Sequence, residues 1–425
     1  MKRKIFFIFE LLLVFVVVAG LFVYGQINQH LDNVQTKELD LEKVQVNEDV
    51  VSTEAASGIT NIALFGVDSR SETDSYSSAN SDTIIIASVN NDAKELRMVS
   101  VYRDSYLVVG QNSSGVDDYE KCNAAFAYGG VEQAISMLNT NLDLSITEYV
   151  AVDFSALVTL IDELGGLDIG MTGAEVVHMN NYCVETSEVT GVDYEPIEYP
   201  GSDDVVKVYH LNGVQATSYA RIRYIGLDFQ RTERQRIVIQ KIIQKAQQTD
   251  LATLTSIMDK VLPMVETSLA KDEIFTMGAN VIGYDIGNTT GFPFDHYEAT
   301  VGSKGSIVIP TTLESNVIKL HEFLFDDPSY QPSQTVVNRS EHIISDTGYG
   351  GDGTTTTTSS SQSSEETSTS GEESSDYYSS EDYSQDYTED YTQDYTEDYS
   401  QDYTGDGSSY SYDDSYSEEE YYGEE

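Results

Sequence analysis

The chain has 425 residues, 40% of them hydrophobic, which is enough for one sizeable core plus a remainder that is not core. Its 72 acidic and 23 basic residues give a formal charge of −49. That balance excludes non-specific nucleic-acid binding, because phosphate backbones are held by Lys and Arg fields that this chain lacks overall.

Ile5 to Tyr24 is an apolar run of twenty residues broken only by Glu10. At about 1.5 Å per residue it spans the ~30 Å hydrocarbon layer of a bilayer, so a transmembrane helix is expected. Lys2, Arg3 and Lys4 precede it and the next Lys or Arg is Lys37, which places the N-terminus in the cytoplasm and the rest of the chain outside. A cleaved signal peptide is the alternative. The run is longer than an ordinary signal h-region and ends in Leu21-Phe22-Val23-Tyr24, without an A-x-A-like site, so an uncleaved single-pass anchor in the cell membrane is the favoured reading.

Asn28 to about Ser57 is polar with scattered Leu and Val and reads as a stalk. Ile59–Val67, Thr83–Val89 and Leu96–Val101 are short runs rich in β-branched residues, each closed by polar or turn residues, and are expected to be buried strands. Glu148–Val152 reads as a fourth strand and Leu167–Met171 as a fifth. Gly130–Leu142 and Phe154–Leu164 show helical spacing, the second stopping at Gly165-Gly166.

Helices are also expected from His210 to about Tyr219 and from Arg231 to about Gln247, followed by a more helical region from Leu251 to about Ile282. Ser306–Ile309 reads as a strand and Leu313–Phe325 as a helix. Strands interleaved with helices give an α/β class with a central mixed β-sheet flanked by helices.

Residues 351–425 carry 23 Asp and Glu and no Lys or Arg, with six consecutive copies of [Glu/Gln]-Asp-Tyr-[Ser/Thr] from Glu381 to Thr404. Such a segment buries too little apolar surface to offset its ordering entropy, so a disordered acidic tail is expected. The expected organisation is a cytoplasmic tail (1–4), anchor (5–24), stalk (25–58), main domain (59–248), helical and strand extension (249–340) and tail (341–425). Cys122 and Cys183 are the two cysteines. An exported pair can form one disulfide or remain as two thiols, and the spacing fits no metal or redox motif.

Two aspartates sit where strands stop: Asp68 follows Ile59–Val67, and Asp82 precedes Thr83–Val89. On neighbouring strands they share one rim of the sheet, and paired hard oxygens there suit Mg²⁺, which takes one or two carboxylates and completes its shell with water and phosphate. Taken singly, each is more ordinarily a turn aspartate. Arg221, Arg223, Arg231, Arg234 and Arg236 put five of the 23 basic residues into sixteen positions. Guanidinium groups clustered in an acidic chain point to a held anion such as pyrophosphate. A solvated face pairing with Glu233 and Asp228 is the competing explanation. Arg231 and Gln235 are i,i+4 and share a helix face, whereas Arg221 and Arg223 share one only if their segment is extended.

The runs NIALFGVDSR (Asn61 to Arg70), SDT (Ser81 to Thr83), SVYRDSY (Ser100 to Tyr106), NAAFAYGG (Asn123 to Gly130), LNGVQATSYARIR (Leu211 to Arg223) and DFQRTERQ (Asp228 to Gln235) together resemble the LytR-CpsA-Psr family, in order and spacing, across Asn61 to about Gln248. The resemblance implies a phosphotransferase that moves a glycopolymer from undecaprenyl pyrophosphate to peptidoglycan, usually to the C6 hydroxyl of N-acetylmuramic acid. Carried over by motif, Asp68 and Asp82 would be Mg²⁺ ligands, and Arg103, Arg221, Arg223, Arg231 and Gln235 would contact the pyrophosphate. Asp68, Asp82, Arg103, Arg221 and Arg223 would form the catalytic set. Asn61 and Ile62 would belong to the strand that presents Asp68.

Two departures stand out. Asn80 occupies the place where the family usually has Arg before Ser-Asp-Thr, and Tyr102 stands where it usually has Pro. The first removes a positive charge, so a protein that grips lipid-linked glycan without turnover, its Tyr-rich tail acting in surface interactions, is the rival function.

Overall fold

The computed structural model describes residues 35–48, 50, 58–67, 81–270, 273–274, 277 and 283–350. The expected anchor, Asp68, Arg70, Asn80 and the segment 351–425 lie outside the described residues. No helix among the described residues is long and apolar enough to cross a membrane.

The central sheet is mixed, as expected. It is built from β1 (Gln35–Thr36), β2 (Ile59–Val67), β3 (Ser81–Asn90), β4 (Glu95–Val101), β7 (Glu148–Val152), β10 (Glu266–Thr267) and β11 (Asp285–Phe292) in the order β1-β10-β7-β2-β3-β4-β11. β2 runs antiparallel to β3 and β3 to β4, while β7 is parallel to β2 and β11 to β4. Three short antiparallel pairs surround it: β5 (Tyr106–Gln111) with β6 (Asp117–Lys121), β8 (Leu167–Met171) with β9 (Lys207–Leu211), and β12 (His296–Val301) with β13 (Gly305–Pro310).

Eight α-helices occur among the described residues: α1 (Ala124–Leu142), α2 (Phe154–Glu163), α3 (Gly173–Thr190), α4 (Gly213–Arg221), α5 (Leu227–Gln247), α6 (Leu251–Val261), α7 (Leu313–Phe325) and α8 (Gln334–Thr347). The apolar runs of β2, β3 and β4 are continuous rather than alternating because the sheet is covered on both faces. Ala63, Phe65, Ile84, Ile86, Val99 and Val101 pack with Ile135 and Leu138 of α1, Val317 and Leu320 of α7, and Val336 and Ile343 of α8 in one core. Ile62, Ile85 and Met98 occupy alternate positions of the same strands and are equally buried. A second core joins α2 to α5 with β8 and β9, through Val158, Ile161, Ile169, Met179, Val214, Tyr219 and Val238.

Several expectations need correction. Residues 35–48 of the segment expected as a stalk are part of the fold: β1 pairs with β10, and the buried Asn47 donates to Asp143 Oδ1 at 2.6 Å and to the Thr140 carbonyl at 3.0 Å. No domain boundary falls at 248, since β10 and β11 complete the same sheet. The C-terminal boundary at 340 is also too early, because α8 continues to Thr347, buries Ile343 and accepts a hydrogen bond from Tyr106 at Asp346.

His210 belongs to strand β9 and not to a helix. Asn212 ends that strand and starts α4, its side chain accepting from Gln215 N–H while Gln215 reaches back to the Asn212 N–H. Gly213 follows because a Cβ there would lie 2.2 Å from the Val158 carbonyl oxygen. α6 stops at Val261, where Pro263 sits in a short 3₁₀ turn that leads into β10. α1 starts six residues earlier than expected and breaks at Gly129-Gly130, where Gly130 takes φ 68°. Cys122 and Cys183 are not joined in a disulfide but are buried in different cores, and the Cys183 thiol is pushed by burial up to about 11.

Candidate functional site

Asp82 is the second residue of β3. Val67, the last residue of β2, pairs with Ser81 beside it, so the two strands do present their ends at one rim. Asp82 is gripped from two sides: Arg103 Nη1 donates to Oδ1 at 2.7 Å and Arg223 Nη2 to Oδ2 at 3.0 Å. Arg231, only 2% exposed, donates from Nη2 to the Asp82 carbonyl at 3.3 Å. Burial by itself would raise the Asp82 carboxyl, but the attraction of Arg103, Arg223 and Arg231 outweighs it and holds the group below the usual carboxylate range.

Each arginine is set by local structure. Arg103 sits in the tight turn after β4, where Ser105 N–H donates to the Tyr102 carbonyl and Asn123 N–H to the Arg103 carbonyl. The Cys122 thiol faces both of those carbonyls, at 3.2 and 3.4 Å. Arg221 ends α4. Its Nη1 donates to Thr186 Oγ1 and its Nη2 to Glu185 Oε2, both at 2.8 Å, while its Cζ lies 4.5 Å from the Phe154 ring centre and 5.6 Å from that of Tyr182. Ile222 then leaves the helix with ψ 124°, which turns Arg223 toward Asp82. Arg231 and Gln235 lie one turn apart on α5 and face the same cavity, as their spacing required.

The cavity measures ≈ 230 Å³ and is lined by Asp82, Thr83, Phe154, Tyr182, Glu185, Arg221, Arg223, Arg231 and Gln235. Arg103 does not line it but holds Asp82, which does. Gln235 Oε1 is buried there without a hydrogen-bond partner. Six of the seven expected site residues therefore converge, and the seventh, Asp68, lies outside the described residues.

The competing explanation of a solvated arginine face does not hold, because Arg231, Arg234 and Arg236 are all buried. Arg234 stands outside the cavity: it donates to Glu175 and to the carbonyls of Ile222 and Ile225, clamping the loop that carries Arg223. Burial lowers the Arg236 pKa, and its Nε and Nη1 have no hydrogen-bond partner.

The sequence reading missed Phe154, Tyr182, Glu185 and Thr186. Three of these lie on α3, a helix it did not identify, although Thr172 and Glu175 spell its capping box: the Thr172 side chain accepts from Glu175 N–H and the Glu175 carboxylate from Thr172 N–H.

A larger cleft of ≈ 370 Å³ opens at the other end of α4, lined by Asp162, Asp193, Glu195 and His210 among others. Its carboxylates give it the wrong sign for a phosphate. No group of three or more His, Cys, Asp or Glu among the described residues is arranged to hold a metal. At the rim, Asp82 offers a hard carboxylate whose two oxygens each accept one guanidinium donor and keep further lone pairs. That donor chemistry fits a Mg²⁺ shared with substrate phosphate.

Among relatives, the chain is 29% identical over 268 residues to the polyisoprenyl-teichoic acid–peptidoglycan teichoic acid transferase TagU of Halalkalibacterium halodurans, covering 62% of this chain and 78% of that one. It is 27% identical over 288 residues to the protein of the same name from Bacillus cereus, covering 66% and 84%. Among solved structures, a protein from Streptococcus agalactiae superposes with a TM-score of 0.51 at 23% identity over 67% of this chain and 93% of that one. TagT bound to LI-WTA superposes with a TM-score of 0.50 at 18% identity over 69% and 100%. These two carry the same fold. The pattern of the LytR_cpsA_psr family matches residues 21–290, a span that takes in every strand of the central sheet but β11's last two residues, and the chain belongs to that family.

Proposed function

We propose that the protein transfers a glycopolymer from an undecaprenyl pyrophosphate carrier to peptidoglycan during cell-wall assembly. The observation that carries this reading is the convergence of Arg103, Arg221, Arg223 and Arg231 around Asp82 at one small cavity, in a chain of net charge −49. The names of the curated relatives agree with it.

In phosphoryl transfer a protein mainly positions the groups and neutralises charge on the oxygens. Arg221, held against Phe154 and Tyr182 and by its bonds to Thr186 and Glu185, and Arg231, fixed by burial, are set to bind non-bridging phosphate oxygens. An acceptor sugar hydroxyl attacks the phosphorus that carries the glycan. A new P–O bond forms as the hydroxyl O–H bond and the bridging P–O bond break, and polyprenyl phosphate leaves with the electron pair of the bridging bond and takes up the hydroxyl proton.

Asp82, held below the ordinary carboxylate range, is a weak proton acceptor near neutrality. Its role is then to order Arg103 and Arg223 and, with Asp68, to hold Mg²⁺, which would supply positive charge to the phosphate oxygens.

The test incubates the full-length protein with a lipid pyrophosphate oligosaccharide and peptidoglycan fragments, with and without Mg²⁺, and looks for a phosphodiester-linked product. Tight binding of the lipid without product, under every metal condition, would instead identify a non-catalytic glycan-binding protein. A single-pass anchor at residues 5–24 with the domain outside the cell completes the proposal. Protease added to intact, wall-stripped cells should then digest the domain, and complete protection would refute that orientation.

A further inference from the structure

An aromatic strip leads out of the arginine cavity. On α3, His178, Tyr182 and Glu185 are spaced i, i+4, i+7 and share one stripe. Glu185 pairs with Arg221 inside the cavity, and Tyr182 lines the cavity wall. Beyond them stands Tyr224, 77% exposed, with its ring centre 6.3 Å from that of Tyr182 and 5.7 Å from that of His178, the latter pair stacked at 25°. Val177 and Val184, also exposed, lie on the adjoining face of α3.

An exposed tyrosine on a loop needs no explanation when it is alone. Tyr224 is not alone, and its loop is fixed. Arg234 donates to the carbonyls of Ile222 and Ile225 on either side of it, and Gly226 turns the chain with φ 72° into α5. A buried guanidinium thus holds an apolar ring out in solvent, next to the residue, Arg223, that reaches Asp82. The strip is continuous with the cavity through Tyr182, whose ring is shared by both.

We propose that His178, Tyr182 and Tyr224 form a stacking platform for the sugar joined to the pyrophosphate, so that the glycan leaves the cavity along α3. This rests on the reading of the cavity as a pyrophosphate site. A sugar has apolar C–H faces and a polar hydroxyl edge, which matches an open aromatic surface bordered by charged groups. A polyprenyl chain would instead need an enclosed apolar slot, and Tyr224 is open to water. A protein partner would have no reason to be registered on the phosphate cavity.

The experiment measures dissociation constants of two probes for the full-length protein: farnesyl pyrophosphate, and the same molecule carrying one N-acetylglucosamine on its terminal phosphate. Wild type is compared with Tyr224→Ala, His178→Ala and Tyr224→Phe. The expected result is a loss of about tenfold in affinity for the sugar-bearing probe in Tyr224→Ala, a smaller loss in His178→Ala, and retention in Tyr224→Phe. Affinity for the bare lipid pyrophosphate should not change in any variant, which also shows that the cavity is intact. Unchanged affinity for both probes in both alanine variants would overturn the platform and leave the pyrophosphate reading standing. An equal loss for both probes would assign the rings to the lipid or to the cavity's shape and would also overturn it. Failure of wild type to bind either probe would overturn the pyrophosphate reading and the platform together.

Discussion

Arg223 Nη2 meets Asp82 Oδ2 at 3.0 Å across 141 positions of chain. The contact joins the rim of the sheet to the loop between α4 and α5, and so links the two cores of the domain at the cavity. Asp82 holds Arg103 by its other oxygen, which makes this one carboxylate the organiser of the cluster.

Replacing Asp82 by Asn keeps the shape and removes the charge that orders two arginines. Turnover should fall by on the order of 10²–10³-fold, the scale of losing one preorganised electrostatic contact at a reacting centre. Affinity for inorganic pyrophosphate, measured without Mg²⁺, should hold or rise, since the arginines lose their competing anion. Steady-state kinetics beside calorimetric pyrophosphate titration separates the two effects, and wild-type turnover would sink the assignment.

Arg221→Lys should be far from conservative. The guanidinium makes two hydrogen bonds and lies against two aromatic rings, and an ammonium cannot reproduce that planar arrangement. Pyrophosphate affinity should weaken by about 1.5–3 kcal/mol, the range for a hydrogen bond to a charged group. Arg223→Lys, at the more exposed position, should cost less. Equal effects at the two sites would contradict the geometry.

Acid should remove a stabilising contact at Asp82. Its folded pKa lies below the ordinary value of 3.8, so its contribution is fully present above that value and is lost as pH falls through the lower folded value. The difference in Tm between wild type and Asp82→Asn should therefore be constant near neutrality and shrink below about pH 4. A difference that shrinks already between pH 7 and pH 5 would show that another group is responsible.

The C-terminal limit of the fold can be tested by stability. Ile343 of α8 is 1% exposed in the main core, and Ile343→Ala should cost about 2–5 kcal/mol in denaturant unfolding. A chain ending after Gly350 should melt like the whole protein, whereas one ending at Ser340 should lose cooperativity. Identical melts for all three would mean that α8 adds nothing to the core.

The sequence determined the strands β2, β3 and β4, because a strand buried on both faces must be largely apolar and Ile84-Ile85-Ile86 can be little else, and it determined β7 through an alternation that buries Tyr149 and Ala151. It determined α7 with both ends, and the shared face of Arg231 and Gln235, because helical periodicity is local. It also singled out Asp82, by its place at a strand end, and the arginine cluster, because so many guanidinium groups in so acidic a chain point to an anion.

Tertiary structure decided the rest. β10 has two residues and β6 reads Asp-Asp-Tyr-Glu-Lys, so neither carries an apolar signal, and each is a strand because a partner supplies the hydrogen bonds. β12 does alternate, with Tyr297, Ala299 and Val301 packed on the core, but its pairing with β13 gives that alternation its meaning. The five clustered arginines look alike along the chain. Only the fold sends Arg221, Arg223 and Arg231 to the cavity and Arg234 to the loop beneath Tyr224, because the direction of a long side chain is set by the charges and carbonyls that packing brings within its reach.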